Sequence, residues 1–393
     1  MNNFASFTDT PSLHLEKALK KVGINSSCSL IKVTGSNGKS ITSSILMSLY
    51  SHAGYKVGAL LHHYLDDADD NLLFNNKVIP TSFIESSIKK YQKIISKYDL
   101  SKFDVMTLIF LAYLEENKAD IAIIELDEIY SQISFLDGMN EILSIVTSLT
   151  LDHTEELGST LSLIASSYAS NFSSYSKILI PKLDDDIKRL FFDIAKQNQS
   201  TCFEVDSFFN YHLDKDMSFL FSYRPYGELK IASSSISYLF DASLALEAIN
   251  INKDIYPVSK ENIEEGLLDL INLNEGIRKG DLILSSASNL EALTLLAKSL
   301  ATLSKGKPIH CLLSLHEQKN ISSILSFVAN VVNSITFTRA SSNCRDEFGY
   351  SLYLEDYPYI DSPLEAYKKI KETYPDDVIL ACGCHEIVEE FKQ

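Results

Sequence analysis

The sequence predicts an α/β protein built on mostly parallel sheets with helices on both faces. Three observations carry this. Short apolar runs of strand length alternate with longer helical patterns along most of the chain. One run, Leu30–Thr34, passes through a glycine-rich turn directly into a helical pattern. A polar stretch with two glycines, Asn272–Gly280, then divides the chain, and the same alternation resumes beyond it on a smaller scale. Two domains are therefore expected, residues 1–275 and a smaller Rossmann-like unit at residues 276–393.

The elements follow in order. After the strand Leu30–Thr34, Ile41, Ile45, Leu46 and Leu49 fall on one helical face, and Gly54 closes that helix. Val57–Leu61 reads as a strand, Phe83–Lys97 and Asp104–Glu116 as helices, and Ile121–Glu125 and Leu143–Thr147 as buried strands. Leu161–Tyr168 opens a helix and Lys177–Ile180 is a strand. The stretch Asp216–Ser233 alternates about the turn Arg224-Pro225-Tyr226-Gly227, which predicts a hairpin. Phe240–Ile249 and Glu261–Leu270 return to helix. The second unit offers strands near Leu282–Ser286, Ile309–Leu315, Ile335–Phe337 and Val378–Ala381, with helices near Leu290–Leu303 and Leu364–Thr373.

Bulk properties exclude several functions. The chain has 393 residues, of which 45% are hydrophobic and 22% charged, a composition that builds sizeable cores. A net charge of −17 argues against a nucleic-acid partner, because backbone binders are basic. Tyr350–Tyr359 has no basic interleaving and forms no base-stacking platform. The longest apolar run, Met106–Leu114, is roughly half of a membrane span. The first residues lack the basic patch and apolar core of a secretory signal. A cytoplasmic protein with no membrane partner is expected, its six cysteines (Cys28, Cys202, Cys311, Cys344, Cys382 and Cys384) reduced.

The chemistry concentrates at Gly35-Ser36-Asn37-Gly38-Lys39-Ser40. Glycines let backbone N–H groups turn toward an anion. The helix that starts here adds donors and a positive dipole end, to which Ile41 contributes its amide. Lys39 supplies a point charge for the β and γ phosphates, and Ser40 or Thr42 a hydroxyl for a phosphate oxygen or for magnesium. A standard P-loop has a glycine five residues before the Gly-Lys pair, and this chain has Val33 there. The loop is a compact version, and ATP with Mg2+ is the expected ligand.

This compact loop resembles that of the Mur ligase superfamily, whose members join an amino acid to a carboxylate at the expense of ATP. Three further runs resemble its folylpolyglutamate synthase/dihydrofolate synthase branch: Phe74-Asn75-Asn76-Lys77-Val78-Ile79-Pro80, Ser101-Lys102-Phe103-Asp104-Val105-Met106-Thr107, and the most specific, Leu151-Asp152-His153-Thr154-Glu155-Glu156-Leu157-Gly158-Ser159-Thr160-Leu161. The resemblance implies an ATP-binding α/β domain followed by a Rossmann-like domain, and a monomer. It implies Glu125 and His153 as metal ligands beside Ser40, with Lys39 and His153 at the reacting phosphoryl group. On chemistry alone an imidazole beside so hard a cation reads as structural, and the resemblance overrides that. It also makes Asp241 the counterpart of an adenine-side asparagine, and Arg278, in Gly276-Ile277-Arg278, a loose counterpart of a nucleotide-binding arginine.

The chain departs from the family in several places. The family's Thr-Ser-Pro-His-Leu segment is here Leu61-His62-His63-Tyr64-Leu65, whose histidines read either as metal or substrate contacts or as a plain loop pair. Its glycine-rich stretch after the glutamate is here Leu126-Asp127-Glu128-Ile129-Tyr130. Its carbamylated lysine, which supports a second magnesium, aligns with Tyr168. Its Asp-Gly-Ala-His-Asn-Pro segment is Ser285-Ser286-Ala287-Ser288-Asn289-Leu290. Asp66–Asp70 lacks the glycine and closing glutamate of a calcium loop and reads as solvated. Cys382-Gly383-Cys384-His385 has no second pair at zinc spacing and reads as buried cysteines before a helix. The resulting expectation is an ATP-dependent ligase joining glutamate to a folate-type carboxylate. The alternatives are a nucleotide-binding relative that does not ligate, and a ligase of the same superfamily with another acceptor.

Overall fold

The computed structural model describes residues 3–4, 7, 14–24, 27–61, 71–126, 139–214, 218–270 and 277–391. His62, His63, Asp66–Asp70, Asp127–Tyr130 and Gly276 lie outside these. The chain divides into two compact units. The first comprises Met1–His212, Leu220–Ala232 and Phe240–Ile271, and the second Leu213–Phe219, Ser233–Leu239 and Asn272–Gln393.

The large sheet contains β1 (Ser29–Thr34), β2 (Val57–Leu60), β3 (Leu72–Phe74), β4 (Lys77–Val78), β5 (Ile121–Glu125), β6 (Asn140–Val146), β7 (Lys177–Ile180) and β8 (Thr201–Glu204). Their order is β4-β3-β2-β5-β1-β6-β7-β8. From β2 to β8 every neighbouring pair is parallel. Only the β3–β4 edge runs antiparallel. β1 and β5 are buried along their whole length, as strands covered on both faces must be. The predicted hairpin is β10 (Phe219–Tyr223) with β11 (Gly227–Ile231); with β9 (Phe209–Leu213) it forms a three-stranded sheet.

The helix after the glycine loop spans Lys39–His52, and every residue from Ser40 to Tyr50 is buried. The sequence pattern predicts one apolar face, but the helix has no solvent side. Its remaining faces carry Ser40, Thr42, Ser43, Ser44 and Ser48, small hydroxyl residues; the hydroxyls of Ser40, Thr42 and Ser48 reach acceptors, whereas the buried hydroxyls of Ser43 and Ser44 make no hydrogen bond to the described residues. Ser48 Oγ, for example, donates to Gly266 O at 2.9 Å, where helix Lys260–Leu268 packs against it. The helix Lys102–Asn117 is likewise buried nearly all round, which explains the apolar run Met106–Leu114. Its start is fixed by a capping box between Ser101 and Asp104. No helix among the described residues is long and apolar enough to cross a membrane.

The second unit has its own sheet. Its strands are β12 (Ile277–Lys279), β13 (Leu282–Leu284), β14 (Ile309–Leu313), β15 (Ser334–Phe337) and β16 (Val378–Cys382), in the order β12-β13-β16-β14-β15. All pairs but β12–β13 are parallel. Apolar clusters cover the sheet on two sides, one around Leu296, Leu313 and Phe337, the other around Leu312, Ile379 and Ile387. The helices Leu15–Val22, Asp185–Gln197 and Ile321–Val328 are additional to the elements read from the sequence.

One buried ion pair lies inside the large sheet. Lys32 Nζ, on β1, is 2.7 Å from Glu141 Oε2, on β6, with both side chains under 10% exposed at 7% and 5%. Lys32 also donates to Asn171 O at 3.0 Å and Ser173 Oγ at 3.1 Å, and Ser144 donates to Glu141 Oε1 at 2.8 Å. Removing one partner strands a buried charge. Glu141→Ala should therefore cost about 3–5 kcal/mol in urea unfolding followed by circular dichroism, while Lys32→Met combined with Glu141→Leu should recover most of it.

Candidate active site

β1 is flanked by β5 on one side and β6 on the other, so three parallel strands end side by side. Ligands bind beyond the carboxyl ends of such strands, where connections leave in opposite directions. The glycine loop follows β1. Glu125 is the last residue of β5, in register with Val33. His153 lies in the connection beyond β6, at the start of the short helix Thr154–Leu157 with φ +48°. Its N–H donates to Asp152 Oδ1 at 3.1 Å.

Two positions in the loop demand glycine. Gly35 has φ +136°, and a Cβ there would lie 2.3 Å from Thr147 Oγ1 and 2.8 Å from Thr147 N. Gly38 has φ +82°, and its Cβ would lie 2.1 Å from Asp241 Oδ1. Gly38 caps the helix without a side chain, and the first intrahelical bond runs from Thr42 N–H to Gly38 O at 2.9 Å. The amides of Lys39, Ser40 and Ile41 precede that bond and project from the positive end of the helix dipole. They form a ready anion cradle.

The rest of the loop is fastened to the β6 connection. Ser36 N–H donates to Ser148 O at 3.1 Å and Asn37 N–H to Ser148 Oγ at 2.8 Å. Thr147 Oγ1 donates to Asn37 O at 2.6 Å. Ser36 Oγ accepts from Thr150 N–H at 3.1 Å and lies 3.1 Å from the Tyr168 hydroxyl. The backbone amides of Ser36 and Asn37 thus fix the shape of the loop. Lys39 Nζ donates to Gly35 O at 2.7 Å, which folds its ammonium back across the cradle.

Ser40 and Glu125 meet. Ser40 Oγ donates to Glu125 Oε2 at 2.9 Å, and Glu125 is fully buried. A hydroxyl and a carboxylate side by side at a phosphate cradle are hard oxygen donors, and they fit magnesium. His153 stands on the opposite flank of β1.

Tyr168 is 2% exposed and fills the place where the family's lysine is expected. It ties helix Leu161–Ala169 to the loop through Ser36. Asp241, on helix Ser237–Ile251, is buried with its carboxylate against Gly38, and it accepts from Thr42 Oγ1 at 3.2 Å. It therefore adjoins the phosphate loop itself. Arg278, in the second unit, donates from Nε to Gly280 O at 2.6 Å and from Nη1 to Leu303 O. In the replaced ligation segment, Ser285 Oγ accepts from Ala287 N–H at 3.2 Å and Asn289 caps the helix Leu290–Ser304. Sequence reasoning missed Thr147, Ser148 and Thr150, although a cluster of hydroxyl residues just past a buried parallel strand was the available signal.

The family model for the Mur ligase middle domain matches residues 33–236. A probable bifunctional folylpolyglutamate synthase/dihydropteroate synthase of Haloferax volcanii is 26% identical over 146 residues, 36% of this chain and 17% of that protein. A dihydrofolate synthase/folylpolyglutamate synthase of Escherichia coli K12 is 23% identical over 368 residues, 91% of this chain and 84% of that protein. Among solved structures, an FPGS–AMPPCP–folate complex superposes with TM-score 0.87 at 16% identity, covering 100% of this chain and 99% of that one.

Two substitutions probe the loop. Tyr168→Phe removes one hydrogen bond from Ser36 and should cost about 0.5–1.5 kcal/mol of Mg·ATP affinity, read by isothermal titration. Asp241→Asn keeps the shape and the Thr42 contact but removes a charge beside the phosphates, so the same titration should show binding tighter by about 1 kcal/mol.

Proposed function

The chain belongs to the Mur ligase family, and from that premise we propose that it is an ATP-dependent ligase joining glutamate to a folate-type carboxylate. The observation that carries the reading is the anion cradle at Lys39–Ile41 with the buried Ser40–Glu125 pair at its edge. The acceptor class is inferred from the E. coli relative, which matches across most of this chain and is named for dihydrofolate and folylpolyglutamate synthesis. We read residues 1–275 as the ATP-binding domain and 276–393 as the ligase domain of a monomer. Its small-molecule partners are ATP, glutamate and a folate-like acceptor.

The reaction has two steps. A substrate carboxylate oxygen attacks the γ-phosphorus of ATP, ADP leaves, and an acyl phosphate forms. The glutamate amine then attacks the acyl carbon, expels phosphate and loses a proton as the amide forms. The loop amides and Lys39 hold the phosphates and balance charge on the transferring group. Ser40, Glu125 and His153 are the residues that would hold magnesium, which supplies further charge neutralisation. Ser148, Thr147 and Tyr168 keep the cradle in shape.

A second reading is favoured by the Tyr168 and Ser285 contacts. Tyr168 and Ser285, at positions where the family resemblance expects a lysine and an aspartate, here serve hydrogen bonds internal to the protein. The second reading is a nucleotide binder with little ligase activity.

The deciding measurement is ADP release from Mg·ATP in the presence of reduced folate and L-glutamate. Turnover should require both co-substrates and vanish in Lys39→Ala, whose circular dichroism should match the parent. Glu125→Ala should lose about a hundredfold or more in rate and need more magnesium. ATP binding without turnover favours the second reading. Affinity for Mg·ATP unchanged in Lys39→Ala removes the phosphate-loop assignment altogether.

A further inference from the structure

A second constellation lies wholly within the smaller unit, at the carboxyl ends of three adjacent parallel strands, β16-β14-β15. His316 follows β14 by a short loop and Cys344 follows β15. Cys384 follows β16, and Glu386 lies in the first turn of helix His385–Glu390. The three connections are laced together. His316 and Cys344 form an isolated antiparallel bridge, Ser314 N–H donates to Cys382 O at 3.0 Å, and Ala340 N–H donates to Ser314 Oγ at 3.1 Å.

The four side chains converge. One ligating atom from each lies within 4.8 Å of all the others. Cys344 Sγ is 3.6 Å from Cys384 Sγ, and His316 Nε2 is 2.9 and 3.0 Å from the two Glu386 oxygens. Both cysteines are buried, at 0% and 2% exposure, while the imidazole and carboxylate are half-buried. Ser341 Oγ reaches both Cys344 Sγ at 3.4 Å and Glu386 Oε1 at 3.2 Å, so one hydroxyl orients two of the four.

We propose that His316, Cys344, Cys384 and Glu386 form a tetrahedral zinc site that clamps the three strand ends of the second unit. With zinc–sulfur bonds of about 2.3 Å, tetrahedral geometry sets two thiolate sulfurs about 3.8 Å apart, close to the observed 3.6 Å. A disulfide needs about 2.05 Å. Two thiolates with one imidazole and one carboxylate are a borderline-soft donor set that selects zinc over magnesium or calcium. Four protein donors close the coordination shell, as structural zinc sites require. Binding replaces the two thiol protons, which are released to solvent. Cys382-Gly383-Cys384-His385 has only one cysteine of this set. The other ligands arrive from sequence-distant turns, so no spacing motif marks the site.

The test is metal content of the full chain, purified reduced and without chelator. Mass spectrometry should find about one zinc per chain, falling at least about tenfold in Cys344→Ser and in Cys384→Ser. Cys202→Ser, on β8, and Glu125→Ala, in the nucleotide site, should keep their zinc; this separates the clamp from the magnesium site. If the serine variants do not fold, the parent decides. Protein stripped by chelator and titrated with cobalt should develop a thiolate-to-metal charge-transfer band and intense visible bands, and Glu386→Gln should alter them. Three outcomes overturn the proposal: parent protein that takes up no zinc when reconstituted with zinc alone, zinc that survives in the Cys344→Ser/Cys384→Ser double variant, or an intact mass showing a Cys344–Cys384 disulfide.

Discussion

The bond from Ser40 to the fully buried carboxylate of Glu125 is the contact around which the first unit is arranged. A carboxylate without solvent is costly unless hydrogen-bond donors or a cation face it. Here it ends a central strand beside the positive end of a helix, and the hydroxyl of the first helical turn donates to it. That places the helix start tightly against β5. The loop from β1 must then turn within four residues, through two left-handed positions that only glycine accepts without clash. Ser148 and Thr147 hold the turn from the β6 side. The cradle's shape is thus fixed by its neighbours on both flanks.

Much of this was legible in the sequence, for identifiable reasons. Strands β1, β5 and β6 are short, mostly apolar runs because both faces of the sheet are covered, although β1 and β6 also carry the buried Lys32–Glu141 pair. The glycines of the loop are forced by positive φ, so residue identity alone points to the turn. What stayed hidden depended on tertiary packing. The all-round burial of helix Lys39–His52 is masked by its serines and Thr42, small polar residues that the fold nevertheless buries, with Ser40, Thr42 and Ser48 donating to acceptors inside. The contact of Asp241 with Gly38 joins residues some two hundred positions apart, and no local pattern encodes it.

The departures from the family pattern also acquire a physical meaning. Tyr168 cannot carry a carbamate, but its hydroxyl lies 3.1 Å from Ser36 Oγ and adds a hydrogen bond to the loop. Asp241 puts a carboxylate where the phosphates are expected, a repulsion that Lys39 and a magnesium at Ser40 and Glu125 oppose. The loop is held by hydrogen bonds from Thr147, Ser148 and Thr150 and lies against the Tyr168 hydroxyl. Binding and transfer are separable properties of such a cradle, because binding energy shared equally by ground and transition states does not raise a rate.

The second unit obeys the same topological rule with different chemistry. Parallel strands deliver their carboxyl ends to one edge, and each connection there brings a few side chains together without needing proximity in sequence. At β13 this edge holds Ser285 and Asn289, which cap and turn the backbone instead of offering acid or base. At β14, β15 and β16 it holds an imidazole, two thiols and a carboxylate. A metal there adds cross-links to a small sheet of five short strands, where the apolar core is limited and fastening the loops gains most.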